Sequence, residues 1–433
     1  MNISSRFVAQ MLLFSGTLMG VSMAWAAPGQ SYRLSCSPHP GHGFQTLAGT
    51  GYAAAGYGFD LGPSPDISVA GCTAGQPFYL SVKEPEGNFL VTVTLGNAKA
   101  AAVTAVKAEA RRLMVFPLAT QPGQFVTRRF VVHTRTPFIT PTEQVHRKPR
   151  EMGDLDWDHK LTLEFTGEHA SFRRVTVTPI DVPTIYLAGD STVVDQQKAP
   201  WAAWGQMLPA FFNDKVSVAN EAESGETIRS FVSEKRLDKV MSTMRAGDYL
   251  FIQFAHNDQK PGRGFVPIPQ YKQLLRHYIA LARSKGAHPV LVTSMNRLAF
   301  NPKGQIVQTL GDYPHAMRQV ARQQHVPLID LNAMSKTLFE AMGPQETLKA
   351  FVHFPANTFP DQPKPLADNT HFTSYGALEL AKCVVQGIRE DHLPIAKDIR
   401  HGVPLFRPAH PDPFSVWTLP PDPFVSGQTP YER

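Results

Sequence analysis

The chain has 433 residues, 42% of them hydrophobic and 18% charged, with a formal net charge of +6 and a pI near 9.1. That length exceeds one ordinary domain, and the composition is globular, which excludes a largely disordered chain. The basic residues are scattered without a run of five or six, which argues against a nucleic-acid-binding arm. Ordinary solubility charge accounts for the excess, and an acidic polysaccharide is the kind of partner it would suit.

Residues 1–26 have the make-up of a cleaved signal peptide. Arg6 supplies the charged start, residues 8–21 are mostly apolar, and Ala24-Trp25-Ala26 gives the small-x-small cleavage pattern. Ser15, Gly16 and Gly20 interrupt the apolar stretch, which favours export over a membrane anchor. The expectation is a periplasmic or extracellular protein with no membrane attachment after cleavage. An exported chain can form disulfides. Cys36 and Cys72 lie in one region and could pair, whereas Cys383 sits in a helical pattern and reads as a buried apolar residue. With three cysteines and no C-x-x-C pair, no structural zinc site and no cofactor is expected.

Residues 27–180 show short alternating runs parted by turn residues. Residues 78–82, 89–95, 125–133, 161–165 and 175–178 read as strands, with Pro85-Glu86-Gly87-Asn88 and Gly96-Asn97 as turns. Such spacing predicts an antiparallel β-sandwich. Residues 136–160 are richer in Pro and charge and read as a long loop across one end. From 183 to 392 the period changes. Apolar runs at 184–188, 249–254, 289–293 and 326–330 alternate with helical spacing at 201–212, 227–244, 268–284, 313–324 and 375–389. This predicts an α/β/α domain around a parallel sheet. Residues 393–433 are Pro-rich, repeat Pro-Asp-Pro-Phe, and read as a surface strap anchored by Phe414, Trp417 and Phe424.

Functional groups in open parallel sheets gather at the carboxyl ends of strands. The first strand of the second half ends in Gly189-Asp190-Ser191-Thr192, which presents a hydroxyl where strand gives way to loop. Asp368-Asn369-Thr370-His371 precedes the last helix, and an acid three positions before an imidazole on one turn can orient it as a general base. Asn257, in Ala255-His256-Asn257-Asp258 beyond another strand, is a candidate oxyanion donor. Gly225, in Ser224-Gly225-Glu226, could bring a backbone N–H to the same oxygen because it lacks a Cβ. Each motif is weak alone, since capping residues and simple turns look alike.

Their joint order resembles the SGNH, or GDSL, hydrolases over residues 183–392, with their characteristic Ser, Gly, Asn and closing Asp-x-x-His matched by Ser191, Gly225, Asn257, Asp368 and His371. The resemblance implies a flavodoxin-like domain with Ser191, Asp368 and His371 as catalytic residues. It also implies an oxyanion hole of Ser191, Gly225 and Asn257. Gly-Asp-Ser-Thr, Trp204-Gly205-Gln206-Met207-Leu208-Pro209, His256-Asn257-Asp258 and Gly311-Asp312-Tyr313-Pro314 look like those of bacterial rhamnogalacturonan acetylesterases. Tyr57-Gly58-Phe59-Asp60 and Arg111-Arg112-Leu113 are similar to segments of the galactose-binding-like sandwich that precedes some of them. The implied activity is metal-free removal of acetyl groups from pectin, an acetylated polysaccharide being the partner. One departure is Glu226, where the family leads one to expect a small or basic residue. No G-x-S-x-G elbow is present, which argues against an α/β-hydrolase. The competing readings are a lipase-type or acetylxylan esterase, and a glycan-binding protein with incidental activity, for which Tyr52, Tyr57 and Phe59 are candidate sugar-stacking residues.

Overall fold

The computed structural model describes residues 29–417, 419–420 and 422–426. The candidate signal peptide, 1–26, lies outside the described residues.

In the first half, strand Gly87–Leu95 buries Phe89, Val91, Val93 and Leu95 while the residues between them stay half-exposed, as a one-sided strand must. It pairs antiparallel with Val126–Thr134 on one side and Ala170–Pro179 on the other, and Ala170–Pro179 continues the sheet to Tyr32–Ser35. A second, five-stranded antiparallel sheet runs in the order Tyr57–Asp60, Phe78–Lys83, Lys160–Thr166, Ala102–Ala108, Arg112–Thr120. The two sheets share one core, in which Phe78, Phe165 and Phe172 stack with centroids 4.3–6.1 Å apart. Each such ring contributes roughly 1.5–3 kcal/mol on burial. Cys36 and Cys72 are disulfide-bonded within this core, across a Cα–Cα distance of 5.4 Å.

The second half carries a five-stranded, wholly parallel sheet in the order Ser217–Asn220, Thr184–Gly189, Tyr249–Gln253, His288–Val292, Leu328–Ile329. Counted within this half, the order is 2-1-3-4-5, the flavodoxin-like arrangement. Successive side chains point to opposite faces, and both faces are covered. Ile185, Leu187 and Phe251 pack with helix Ser374–Glu390, while Tyr186, Leu250 and Ile252 pack with helices Ile268–Ser284 and Tyr313–Gln324. Cys383 is buried in the first of these layers.

The structure refines the sequence reading at four places. Residues 201–212 hold one helical turn, Trp204–Met207, and a 3-10 turn, Leu208–Phe211, because Pro209 lacks the N–H that would continue an α-helix. Residues 227–244 divide into Ile228–Ser233 and Arg236–Thr243 at Lys235, whose φ is 61°. Helix Leu331–Ala350, broken at Gly343-Pro344, has no counterpart in the sequence reading. Residues 136–160 run mostly as the long loop expected, but they hold two short paired strands, Phe138–Thr140 and Glu143–Gln144, and two 3-10 turns; Lys148 and Glu151 are buried against the second half, while Asp156 pairs with Arg112 and Arg135 of the first. The tail is anchored as expected. Phe414 and Trp417 lie on Tyr375, Phe424 lies on Tyr79, and Asp422 pairs with Lys107 and Arg111 of the first half.

Candidate active site

Ser191 stands two residues beyond strand Thr184–Gly189, beside the central strand Tyr249–Gln253, where the strand order reverses. Its turn is fixed from several directions. The Asp190 carboxylate accepts from Thr192 N (2.9 Å) and Thr192 Oγ1 (2.7 Å). Gln253 then donates to Thr192 Oγ1 at 2.8 Å while accepting from the Trp204 indole at 2.9 Å. Gln196 donates to the Ser191 carbonyl at 2.8 Å. A Cβ at Gly189 would lie 2.5 Å from Val193 Cγ2, so the tight exit from the strand requires glycine.

His371 and Asp368 lie on strand Leu366–Phe372, which pairs with Phe351–Phe354, rather than on a free turn. In a regular strand, residues three apart face opposite sides. Here Phe372 pairs with Phe351 and Asp368 with Val352, so residues 369–371 bulge out of register. The bulge lets the two side chains meet: Asp368 Oδ2 is 2.7 Å from His371 Nδ1, and His371 Nε2 is 2.8 Å from Ser191 Oγ. Asp368 Oδ1 accepts from the Thr370 and His371 N–H groups at 2.8 and 2.9 Å. Burial alone would raise the Asp368 carboxyl, but the bond and charge of His371 and these two N–H groups outweigh it and hold the carboxyl at about 2.

Gly225 and Asn257 stand on two further loops, which are bonded to each other. Gly225 has a φ of +80°, the left-handed conformation that favours glycine. Asn257 Nδ2 donates to the Glu226 carbonyl at 2.9 Å, which ties the two loops together and leaves its second N–H available. Lys148 donates to the Ser224 carbonyl at 2.9 Å and pairs with the Glu226 carboxylate. Arg150 donates to the same carbonyl at 2.5 Å and to Glu223 at 2.9 Å. Glu226, the departure from the family pattern, is therefore a buried acid held by Lys148 from the first half, with Arg236 3.9 Å away. Burial pushes its carboxyl up, and the two cations pull it back.

Ser191, His371 and Asp368 thus meet in one hydrogen-bonded line, and Asn257 is joined to the loop of Gly225 through the Glu226 carbonyl. Thr192 and Trp204 stand in motifs quoted above, but no motif gives the bonds that brace the site. Thr192, Gln253, Trp204, Lys148 and Arg150 act through bonds spanning tens of residues, and the only signal in sequence was the density of charge at 136–160. Tyr57 and Phe59 pack toward the first half's core, Tyr57 on Tyr32 and Phe59 on Phe78 and Phe172. Tyr52 lies under the Lys160 ammonium. Among the described residues, no group of three or more His, Cys, Asp or Glu side chains could hold a metal ion.

A serine hydroxyl, an imidazole and a carboxylate in one hydrogen-bonded line, at the switch point of a 2-1-3-4-5 parallel sheet, define a serine ester hydrolase of the α/β/α kind. The model of the GDSL-like lipase/acylhydrolase family matches residues 187–377. The chain is 48% identical over 213 residues to rhamnogalacturonan acetylesterase RhgT of Bacillus subtilis (strain 168), covering 49% of this chain and 91% of that protein. It is 38% identical over 219 residues to the probable rhamnogalacturonan acetylesterase YesY of the same strain, covering 50% and 96%. The crystal structure of the Bacillus subtilis protein YxiM is similar at 24% identity over 84% of this chain and 99% of that one, with a TM-score of 0.46. The chain belongs to the GDSL-like lipase/acylhydrolase family.

Proposed function

We propose that this protein is an exported carbohydrate O-acetylesterase that removes acetyl groups from rhamnogalacturonan-type pectin. The single observation that carries the chemistry is the line Ser191 Oγ, His371 Nε2, His371 Nδ1, Asp368 Oδ2, with 2.8 and 2.7 Å contacts. The acetyl and pectin parts of the reading are supported by the names of the two relatives above. Export is supported by the signal-like residues 1–26 and by the Cys36–Cys72 disulfide, a bond at home in oxidising compartments. No helix among the described residues is long and apolar enough to cross a membrane.

In the proposed reaction, His371 Nε2 takes the Ser191 proton as Oγ attacks the acetyl carbonyl carbon. The oxygen of the tetrahedral intermediate accepts from the Ser191 and Gly225 N–H groups and the spare Asn257 amide hydrogen. Collapse breaks the bond to the sugar oxygen, which leaves with the proton from His371. Water then gives its proton to His371, attacks the acetyl-serine, and acetate departs as Ser191 regains its hydrogen. Asp368 remains ionised and holds the imidazole tautomer throughout. The first half is proposed to be a galactose-binding-like β-sandwich.

Ser191→Ala tests the reading. The variant should fold as the parent does and release acetate from acetylated rhamnogalacturonan at least about a thousand-fold more slowly. Near-parental turnover would eliminate the mechanism. A parent that prefers acetylated xylan or long-chain acyl esters would overturn the pectin assignment.

A further inference from the structure

A cavity of about 550 Å³ opens beside this site, at the junction of the two halves, within the roughly 300–1,000 Å³ range usual for small-molecule sites. The segment that follows the nucleophile lines it through residues 194–198, and the oxyanion loop through Ser224, the residue before Gly225. The first half lines it through Arg150 and Asp154. The cavity is thus built onto both loops of the reaction centre by a part of the chain outside the hydrolase unit.

Two polar groups give it a chemistry. Trp201 lines the cavity and is 2% exposed, yet its indole N–H has no acceptor among the described residues. Buried indole donors usually have a partner, so an acceptor on a bound molecule would satisfy this one. Asp154 precedes a 3-10 turn without capping it. Burial, with Asp156, Glu223 and Glu151 adding to it, pushes its carboxyl up to about 8. At neutral pH it then carries a proton, and the group both donates and accepts. Sugar hydroxyls need such partners, since each one donates and accepts as well.

We infer that this cavity binds the glycosyl unit next to the one bearing the scissile acetyl group, with the Trp201 indole N–H and the Asp154 carboxyl as its hydrogen-bonding partners. The inference rests on the polysaccharide reading above, and it makes the first half a contributor to substrate recognition. Lys198, exposed on the same lining, gives an acidic sugar a favourable neighbour.

The test compares two esters in the full chain: 4-nitrophenyl acetate, which carries no neighbouring glycosyl unit, and an acetylated oligosaccharide from pectin. Trp201→Phe removes the N–H and keeps an aromatic ring; Asp154→Leu keeps roughly the size and removes both the donor and the acceptor. Each should raise the KM for the oligosaccharide about ten-fold, the effect of one lost hydrogen bond, with kcat within about two-fold of the parent. The kcat/KM for nitrophenyl acetate should also stay within about two-fold. Equal losses on both esters would mean a structural role and overturn the inference, as would an unchanged oligosaccharide KM in both variants. A parent that cleaves the nitrophenyl ester but releases no acetate from the oligosaccharide would overturn the polysaccharide reading and the subsite with it. An active parent with insensitive variants would overturn the subsite alone.

Discussion

Asp368 uses its two oxygens differently. One is saturated by the N–H groups of Thr370 and His371, which fixes the bulge; the other faces His371 Nδ1 and sets the tautomer. Asp368→Asn keeps an acceptor for the backbone but turns an amide toward the imidazole or forces the other tautomer. Turnover of nitrophenyl acetate should fall by about 10³–10⁴ while circular dichroism is unchanged, following the effect of this replacement in serine-protease triads. A loss below about ten-fold would show that the carboxylate is not needed. The carboxyl also titrates at about 2, below its ordinary 3.8, so its ionised form stabilises the fold above about pH 4 and ceases to do so as pH falls through 2. Ser191, Asp368 and His371 were legible in the sequence because a strand exit and a short acid-histidine spacing are local features. The partners of Ser191's turn were not, since Gln253 and Trp204 join it only through folding.

At the scale of elements, the loop that carries Gly225 depends on the stretch 148–151. Lys148 and Arg150 converge on one carbonyl, that of Ser224, and Lys148 also neutralises Glu226. Removing one partner from a buried pair leaves the other charged and unsolvated, typically at a cost of about 3–5 kcal/mol. Lys148→Met should therefore lower stability by about that amount in denaturant unfolding, with Arg236 and Ser230 limiting the loss at Glu226. On the oxyanion role proposed for the Gly225 N–H, it should also lower kcat more than it raises KM, because such a bond acts on the transition state rather than on the bound ester. Adding Glu226→Gln should restore part of the stability, since it removes the stranded charge, and a double-mutant cycle measures the coupling. Additive losses in that cycle would contradict the pairing. From sequence, the Pro and charge of residues 136–160 read as a long loop across one end, with nothing to say what its charges face. Composition reports that a segment is polar, but not whether its charges face water or countercharges 70 to 90 residues away.

At the scale of the whole molecule, the same lesson applies to the net charge. The excess of cations read as solubility charge, yet Arg111, Arg112, Arg135 and Lys148 are buried at the junction and bond to the second half or the tail. The period of the hydrophobic pattern revealed the two architectures, because alternation and helical spacing report burial along one element. It carried no information on how two polar surfaces mate. Burying so many ionisable groups has a consequence for pH. Burial pushes the Asp258 carboxyl up to about 8, with Asp190 and Glu226 adding to it, and the Glu84 carboxyl up to about 7. Asp154 behaves likewise. Each of these groups binds its proton more tightly folded than unfolded, where it titrates near 4. Between about pH 4 and 8 these carboxyls hold more protons in the native state, so their contribution to stability falls as pH rises; the buried His133 and His256, which bind protons less tightly when folded, act the other way only below about pH 6.5. The sign for these carboxyls is opposite to that of Asp368, whose effect is confined to strong acid. The midpoint of urea unfolding should be higher at pH 6 than at pH 9. Asp258→Asn, which cannot ionise and still accepts from the Ile228 N–H, should flatten that dependence. A midpoint that rises with pH over this range would mean that these carboxyls are ionised in the folded protein.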